Sequence, residues 1–78
     1  MGTNKSRREK HAWLNMHIKR FFNRNPDKTF SKGKMLAQFA VETFSTIKTG
    51  AEILDLFASV NMLKIEGDVV SKGKEYNL

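Results

Sequence analysis

The chain of 78 residues is long enough for one domain with a single hydrophobic core, and too short for a deep enzyme cleft between two lobes. Its 14 lysines and arginines outnumber its 8 aspartates and glutamates, and the net charge of +6 favours polyanionic partners such as DNA, RNA, an anionic membrane or an acidic protein. The absence of cysteine excludes disulfides and cysteine-based metal sites. No signal peptide and no run of about 20 apolar residues is present, so we expect a cytoplasmic protein without a membrane anchor.

The first predicted helix begins at a capping motif. Residues 1–5 are polar and are expected to be mobile, which leaves residues 6–78 as the single domain. Ser6 and Glu9 have the spacing of a capping box, in which each side chain accepts a hydrogen bond from the other residue's backbone N–H. Apolar residues then recur every three or four positions. The helix is predicted to end near Asn23, because the Asn-Pro pair that follows disfavours helical geometry.

A second helix is predicted from Lys32 to Phe44, with Ser31 as its N-cap. The preceding pair Thr29-Phe30 is too short for an independent strand but could pair with one. Apolar residues occupy two sides of this helix, so we expect neighbouring elements to cover more than one of its faces. The first side carries Met35, Leu36, Phe39, Ala40 and Thr43, and the second carries Ala37, Val41 and Phe44.

A third helix is predicted to begin at a second capping box formed by Thr49 and Glu52, after a link over residues 45–48. In that position Glu52 also stabilises the positive end of the helix. Asn61 suits the left-handed conformation that ends a helix. The side of this helix that faces the core is predicted to carry Ile53, Leu54, Leu56, Phe57 and Val60.

The residues that follow alternate with the period of about 2 that is typical of strands, and they predict a hairpin. Its turn could lie at Gly67-Asp68 or at Lys72-Gly73. The first turn pairs Ile65 with Val70 but leaves the last residues without strand partners. The second turn keeps the alternating apolar residues on one buried face, so we predict it and interpret Gly67 as a bulge. That face consists of Ile65, Val69, Tyr76 and Leu78.

The order helix, short strand, helix, tight turn, helix and hairpin resembles the winged helix-turn-helix family over nearly the whole chain. The stretch LFASVNMLKIEGDVV carries the likeness. In it Phe57 and Val60 match two core positions of the family's recognition helix. Asn61 stands where glycine is usual, and Met62-Leu63 open the first wing strand. In size and composition the chain is similar to the compact winged-helix transcription factors of archaeal viruses and plasmids, including plasmid-virus hybrid elements.

This resemblance implies an α+β fold and a sequence-specific regulator of transcription that binds double-stranded DNA without a cofactor. The family's contacts fall on the start of the second helix, on the turn and start of the third helix, and on the tip of the wing. The matching residues are Lys32, Lys34, Thr46, Lys48, Thr49, Lys72, Gly73 and Lys74. At the tip, glycine would permit the turn while the lysines approach phosphates. Alternatively, Lys72 and Lys74 only prevent pairing between sheet edges.

The exposed face of the third helix departs from the family, because it is predicted to carry Glu52, Asp55 and Ser59 and no basic residue. Carboxylates in a major groove are repelled by the phosphates, and only a cytosine amino group is a good partner for them. Either the protein docks on DNA through other elements, or this acidic face binds a protein. An RNA-binding module that uses the same lysines is a further alternative.

Catalytic and metal sites are not predicted. His11 and His17 are six positions apart, which rotates them by about 120° on a helix and prevents them from sharing a metal ion. His17 is expected to pack beside Trp13 and Phe21. The carboxylates have no histidine nearby in sequence and no evident cleft, so we expect no enzyme activity. No additional helix is present for dimerisation, which favours a monomer in solution.

Overall fold

The computed structural model describes residues 6–77, so the residues expected to be mobile, 1–5, and the last residue, Leu78, lie outside it. The described chain forms three helices and a three-stranded antiparallel sheet in the strand order β1-β3-β2, which confirms the α+β class. This arrangement is compatible with the expected winged helix. The elements are α1 (Arg7–Arg24), β1 (Phe30–Ser31), α2 (Lys32–Thr43), α3 (Ile47–Ser59), β2 (Leu63–Glu66) and β3 (Val69–Lys72).

The start of α1 confirms the capping box. The Glu9 N–H donates to the Ser6 hydroxyl at 3.2 Å, and the Ser6 N–H donates to the Glu9 carboxylate at 3.0 Å. The helix ends at Arg24, and the Asn25 side chain donates to the Phe21 carbonyl at 3.1 Å. The buried face of α1 carries Trp13, Leu14, Ile18 and Phe22. These four residues are the part of the hydrophobic core that α1 contributes.

The start of α3 differs from the prediction. Its N-cap is Thr46, whose hydroxyl accepts from the Thr49 N–H at 3.2 Å, so Thr49 is a residue of the first turn and the capping box with Glu52 is wrong. The difference arises because Phe44 adopts a left-handed conformation (φ 53°) that ends α2 sharply. Only Ser45 and Thr46 then separate Phe44 from the first residue of α3. Asn61 does take the predicted left-handed conformation, with φ 64°.

Gly50 lies at the point where α3 crosses α2, and it is buried there. A Cβ atom at this position would lie 2.7 Å from side-chain carbons of both Leu36 and Phe39. The missing side chain therefore allows the two helices to approach closely.

The predicted second apolar side of α2 is wrong, and the predicted inward side of α3 is confirmed only for Ile53, Leu54 and Phe57, which are buried. On α2, Val41 is 74 % exposed and Phe44, which ends the helix, is 61 % exposed. On α3, Leu56 and Val60 are 47 % and 56 % exposed. Each helix packs against the core through one narrower face, so these residues remain at the surface of the domain.

The hairpin turn lies at Gly67-Asp68, and the predicted turn at Lys72-Gly73 is wrong. The strands pair Ile65 with Val70 and Leu63 with Lys72. Gly67 supplies the left-handed residue of the turn, with φ 61°, and is not a bulge.

The reason for this register lies in β1, which pairs with β3 so that Phe30 lies opposite Val70. This pairing places Val70 in the core and leaves Val69 48 % exposed. Tyr76 becomes partly buried after the strand has ended, with its ring 5.3 Å from that of Phe22. Tyr76 therefore needs no strand partner. Burial of the apolar surface between the sheet and the helices decides the register.

Candidate nucleic-acid interface

The residues that matched the family's DNA contacts lie at three separate places. Lys32 and Lys34 are in the first turn of α2, and the Thr46–Thr49 segment forms the cap and first turn of α3. The length of α2, about 18 Å for 12 residues at about 1.5 Å each, separates these two places. The segment 72–74 begins with the last residue of β3, at the end of the hairpin opposite to its turn. The hairpin tip that was expected to carry these lysines is instead Gly67-Asp68.

Hydrogen bonds connect the hairpin turn to the start of α2. The Asp68 carboxylate accepts hydrogen bonds from the Gly33 N–H at 2.7 Å and from the Ser31 hydroxyl. The Lys32 N–H donates to the Asp68 carbonyl at 2.8 Å. The Ser31 hydroxyl, the Gly33 amide and the charges of Lys32 and Lys34 hold the pKa of Asp68 below its ordinary value. The protein's own carboxylate thus occupies the position at which a helix start would bind a phosphate.

The exposed strip of α3 begins with a basic residue and continues with acidic ones. Lys48, Glu52, Asp55 and Ser59 are all exposed, and their spacing places them on one side of the helix. The predicted acidic face is therefore present, with Lys48 added at its start. Because the N-cap is Thr46, Glu52 lies in the second turn and does not have the capping role assigned to it.

The segment after β3 packs against the end of α3. The Gly73 N–H donates to the Met62 carbonyl at 3.0 Å, and a Cβ atom on Gly73 would collide with the carbonyl of Asn61. Only glycine therefore fits where the backbone at position 73 passes the backbone of Asn61. The ammonium of Lys72 lies 5.1 Å from the centre of the Tyr76 ring. Lys72 and Lys74 line a shallow cavity of about 580 Å³, together with Ala58, Asn61, Leu63, Lys64, Ile65 and Gly73.

Sequence reasoning missed the basic residues of α1. This helix carries six basic residues against one acidic residue, so its net charge of +5 accounts for most of the +6 of the chain. The helix α3, with Lys48, Glu52 and Asp55, has a net charge of −1. A count of charge for each predicted helix would have revealed this contrast. The basic residues of α1 are Arg7, Arg8, Lys10, Lys19, Arg20 and Arg24.

The histidines pack against aromatic rings. His17 stacks on Trp13 with ring centres 3.7 Å apart, as expected, and its Nδ1 lies 2.9 Å from the Trp13 carbonyl oxygen. His11 meets the edge of Phe57 at 5.6 Å. Across residues 6–77, no group of three histidines or acidic residues is placed to hold a metal ion. None of the helices in this range is long and apolar enough to cross a bilayer.

Comparisons with known proteins give no assignment, since no family model, curated protein or solved structure matches the chain.

Proposed function

We propose that this protein is a winged-helix regulator of transcription that binds a specific site in double-stranded DNA. The observation that carries the proposal is the position of lysines at both ends of an exposed helix. Lys48 lies at the start of α3, and Lys72 and Lys74 lie beside its end. Thirteen positions from Lys48 to Asn61 span about 20 Å at about 1.5 Å each, which exceeds the major-groove width of about 12 Å. A helix in that groove could therefore bring lysines to the phosphates on both sides.

The acidic strip of α3 limits how the helix meets the bases. Glu52 and Asp55 would face the groove between the two groups of lysines. A carboxylate there pairs best with a cytosine amino group, because the adenine amino group lies beside the N7 acceptor, which repels a carboxylate. We infer that phosphate contacts provide most of the affinity and that Asp55 selects for cytosine.

Lys32 and Lys34 lie at the start of α2, where they would approach an adjacent phosphate with their side chains. The N-terminal amide of Gly33 is not available to that phosphate while it donates to Asp68. We propose that the protein acts in the cytoplasm, without a cofactor and as a monomer in solution.

The test measures affinity for duplexes that tile the genome encoding the protein and for random duplexes, at two salt concentrations. We expect a preferred site with an affinity ratio well above one at near-physiological salt, since charge alone gives a ratio near one. The variant Lys72→Gln/Lys74→Gln should lower the salt slope by about 0.9 for each lost phosphate contact. Lys28→Glu removes the same net charge from a loop and serves as the control. A ratio near one on every duplex would refute the proposal, and preferred binding to RNA would favour the RNA-binding module.

A protein-interaction module is the second candidate, because exposed apolar residues flank the acidic strip. Leu56 and Val60 lie beside Asp55 and Ser59 on the surface of α3. Under this alternative, Asp55→Ala would abolish capture of a protein partner and would leave weak, salt-sensitive DNA binding unchanged. Under the DNA proposal, the same substitution should weaken the preferred site by about 1 to 3 kcal/mol and hardly affect random duplex.

A further inference from the structure

The outer face of α1 is a basic surface that the proposed interface does not use. Its exposed residues lie on the side opposite to Leu14 and Ile18, which are buried in the core. The helices α1 and α3 each bury one face in this core, so their exposed faces are separate surfaces of the domain. The outer face consists of Arg8, Ala12, Asn15, Met16, Lys19, Arg20 and Asn23.

The charges on α1 form two clusters. The amino cluster is Arg7, Arg8 and Lys10, and the carboxyl cluster is Lys19, Arg20 and Arg24. Residues of the carboxyl cluster line a shallow groove of about 440 Å³, together with Met16 and Asn23. From Arg8 to Lys19 the helix rises about 16 Å, which again exceeds the major-groove width of about 12 Å.

Basic residues outnumber acidic ones by six to one along α1, so this surface keeps a net positive charge. Glu9, the one acidic residue of α1, bonds to the Ser6 N–H at the start of the helix. Glu42, on the neighbouring α2, accepts from the Trp13 indole N–H at 3.2 Å and from the Gln38 amide at 2.8 Å. Arginine and asparagine side chains together provide several donors that suit phosphate oxygens.

A nucleic acid fits this surface better than a lipid bilayer does. Helices that lie on membranes insert bulky apolar side chains on one face. On α1, which the structure describes throughout, those side chains are in the core, and Met16 is the one large apolar residue that is exposed, at 47 %. A surface of arginine, lysine and asparagine is typical of contacts with a phosphate backbone.

We propose that the outer face of α1 binds the phosphate backbone of a second DNA duplex, so that one molecule joins two duplexes. The inference rests on the proposed function for the first duplex, which α3 and the segment after β3 hold. The second contact involves phosphates and requires no particular base sequence.

The experiment captures a labelled random duplex on beads that carry an immobilised duplex, in the presence of the full chain. We expect capture with the natural protein. Lys19→Gln/Arg20→Gln should lower capture about 10- to 30-fold near 0.15 M salt, because two phosphate contacts with slopes of about 0.9 each are lost. Its affinity for the preferred site, which α3 binds, should change less than twofold. Arg8→Gln removes one phosphate contact on the other side of the DNA groove and should lower capture about fivefold.

Lys28→Glu, with the same change in net charge, should retain capture. The proposal is wrong if the natural protein fails to capture the label, if capture persists in both α1 variants, or if the control loses as much. Loss of flotation with anionic vesicles in an α1 variant that still captures DNA would identify a lipid partner instead. Failure of the proposed function is distinguishable, since it removes the preferred site on a single duplex while random duplexes can still be joined.

Discussion

The Asp68 carboxylate lies 2.7 Å from the backbone nitrogen of Gly33, so a residue of the hairpin turn accepts a hydrogen bond from the first turn of α2. The two residues are 35 positions apart in the chain. The contact therefore joins the last two strands to the middle of the domain. An acidic residue at a helix start also interacts favourably with the positive end of the helix dipole.

Asp68→Asn should make the domain less stable near neutral pH. It should also make the stability change less as the pH is lowered into the acidic range. The pKa of Asp68 is lowered in the folded protein from its ordinary value of 3.8, mainly by the Ser31 hydroxyl and then by the Gly33 amide. Its contribution is thus complete above that ordinary value and is lost as the pH falls through the lower folded value. Thermal melts of both proteins from pH 7 downwards should converge at low pH. A constant difference in melting temperature would contradict this account.

Gly50→Ala should destabilise the domain even though alanine is the better helix former. The gain in helix propensity is about 1 kcal/mol. Against it, the new Cβ would lie 2.7 Å from carbons of Leu36 and Phe39, which are buried and cannot move freely. Overpacking of this kind costs about 1 to 3 kcal/mol. Urea unfolding should give a net loss, and a more stable variant would show that α2 and α3 can separate at this crossing.

Thr46→Ala should cost about 1 kcal/mol of stability, because the Thr46 hydroxyl caps α3. Thr49→Ala should cost less, since Thr49 contributes its backbone N–H to the cap and alanine retains that group. Thr46→Ser, which keeps the hydroxyl, is the control. Equal losses from the two alanine substitutions, measured by chemical unfolding, would show that the Thr49 hydroxyl contributes as much as the cap.

Lys72→Ala and Lys74→Ala should differ in their effect on stability. The Lys72 ammonium lies 5.1 Å from the Tyr76 ring centre and 5.7 Å from that of Phe22, and an exposed contact of this kind is worth about 0.5 to 1 kcal/mol. Lys74 has no such ring contact among the described residues. We expect both variants to lower the salt slope of DNA binding, and only Lys72→Ala to lower the free energy of unfolding.

Features set by neighbouring residues could be predicted from the sequence. The capping box of Ser6 and Glu9, the N-cap at Ser31 and the left-handed Asn61 are all confirmed. Each depends on side chains and backbone groups within a few positions of one another. The type and order of the three helices follow from the same local signals.

Features set by distant contacts could not be predicted in this way. The apolar pattern of the hairpin alone favoured the turn at Lys72-Gly73, and the pairing of Phe30 with Val70 fixed the turn at Gly67-Asp68 instead. The candidate site changed with that decision, because Lys72 and Lys74 moved from the tip of the hairpin to its opposite end. The count of lysines was visible in the sequence, but their grouping depended on a contact with β1.

The hairpin should tolerate inserted residues at Gly67, which follows β2, but not at Gly73, which follows β3. Apart from its two chain neighbours, no residue lies within 4 Å of the position where a Gly67 side chain would begin, so additional residues could extend the turn into solvent while Asp68 keeps its hydrogen bonds. Gly73 lies against the backbone of Asn61, and an insertion there would displace the segment that carries Tyr76 from the core. We therefore expect the hairpin to tolerate insertions at one end of β3 only.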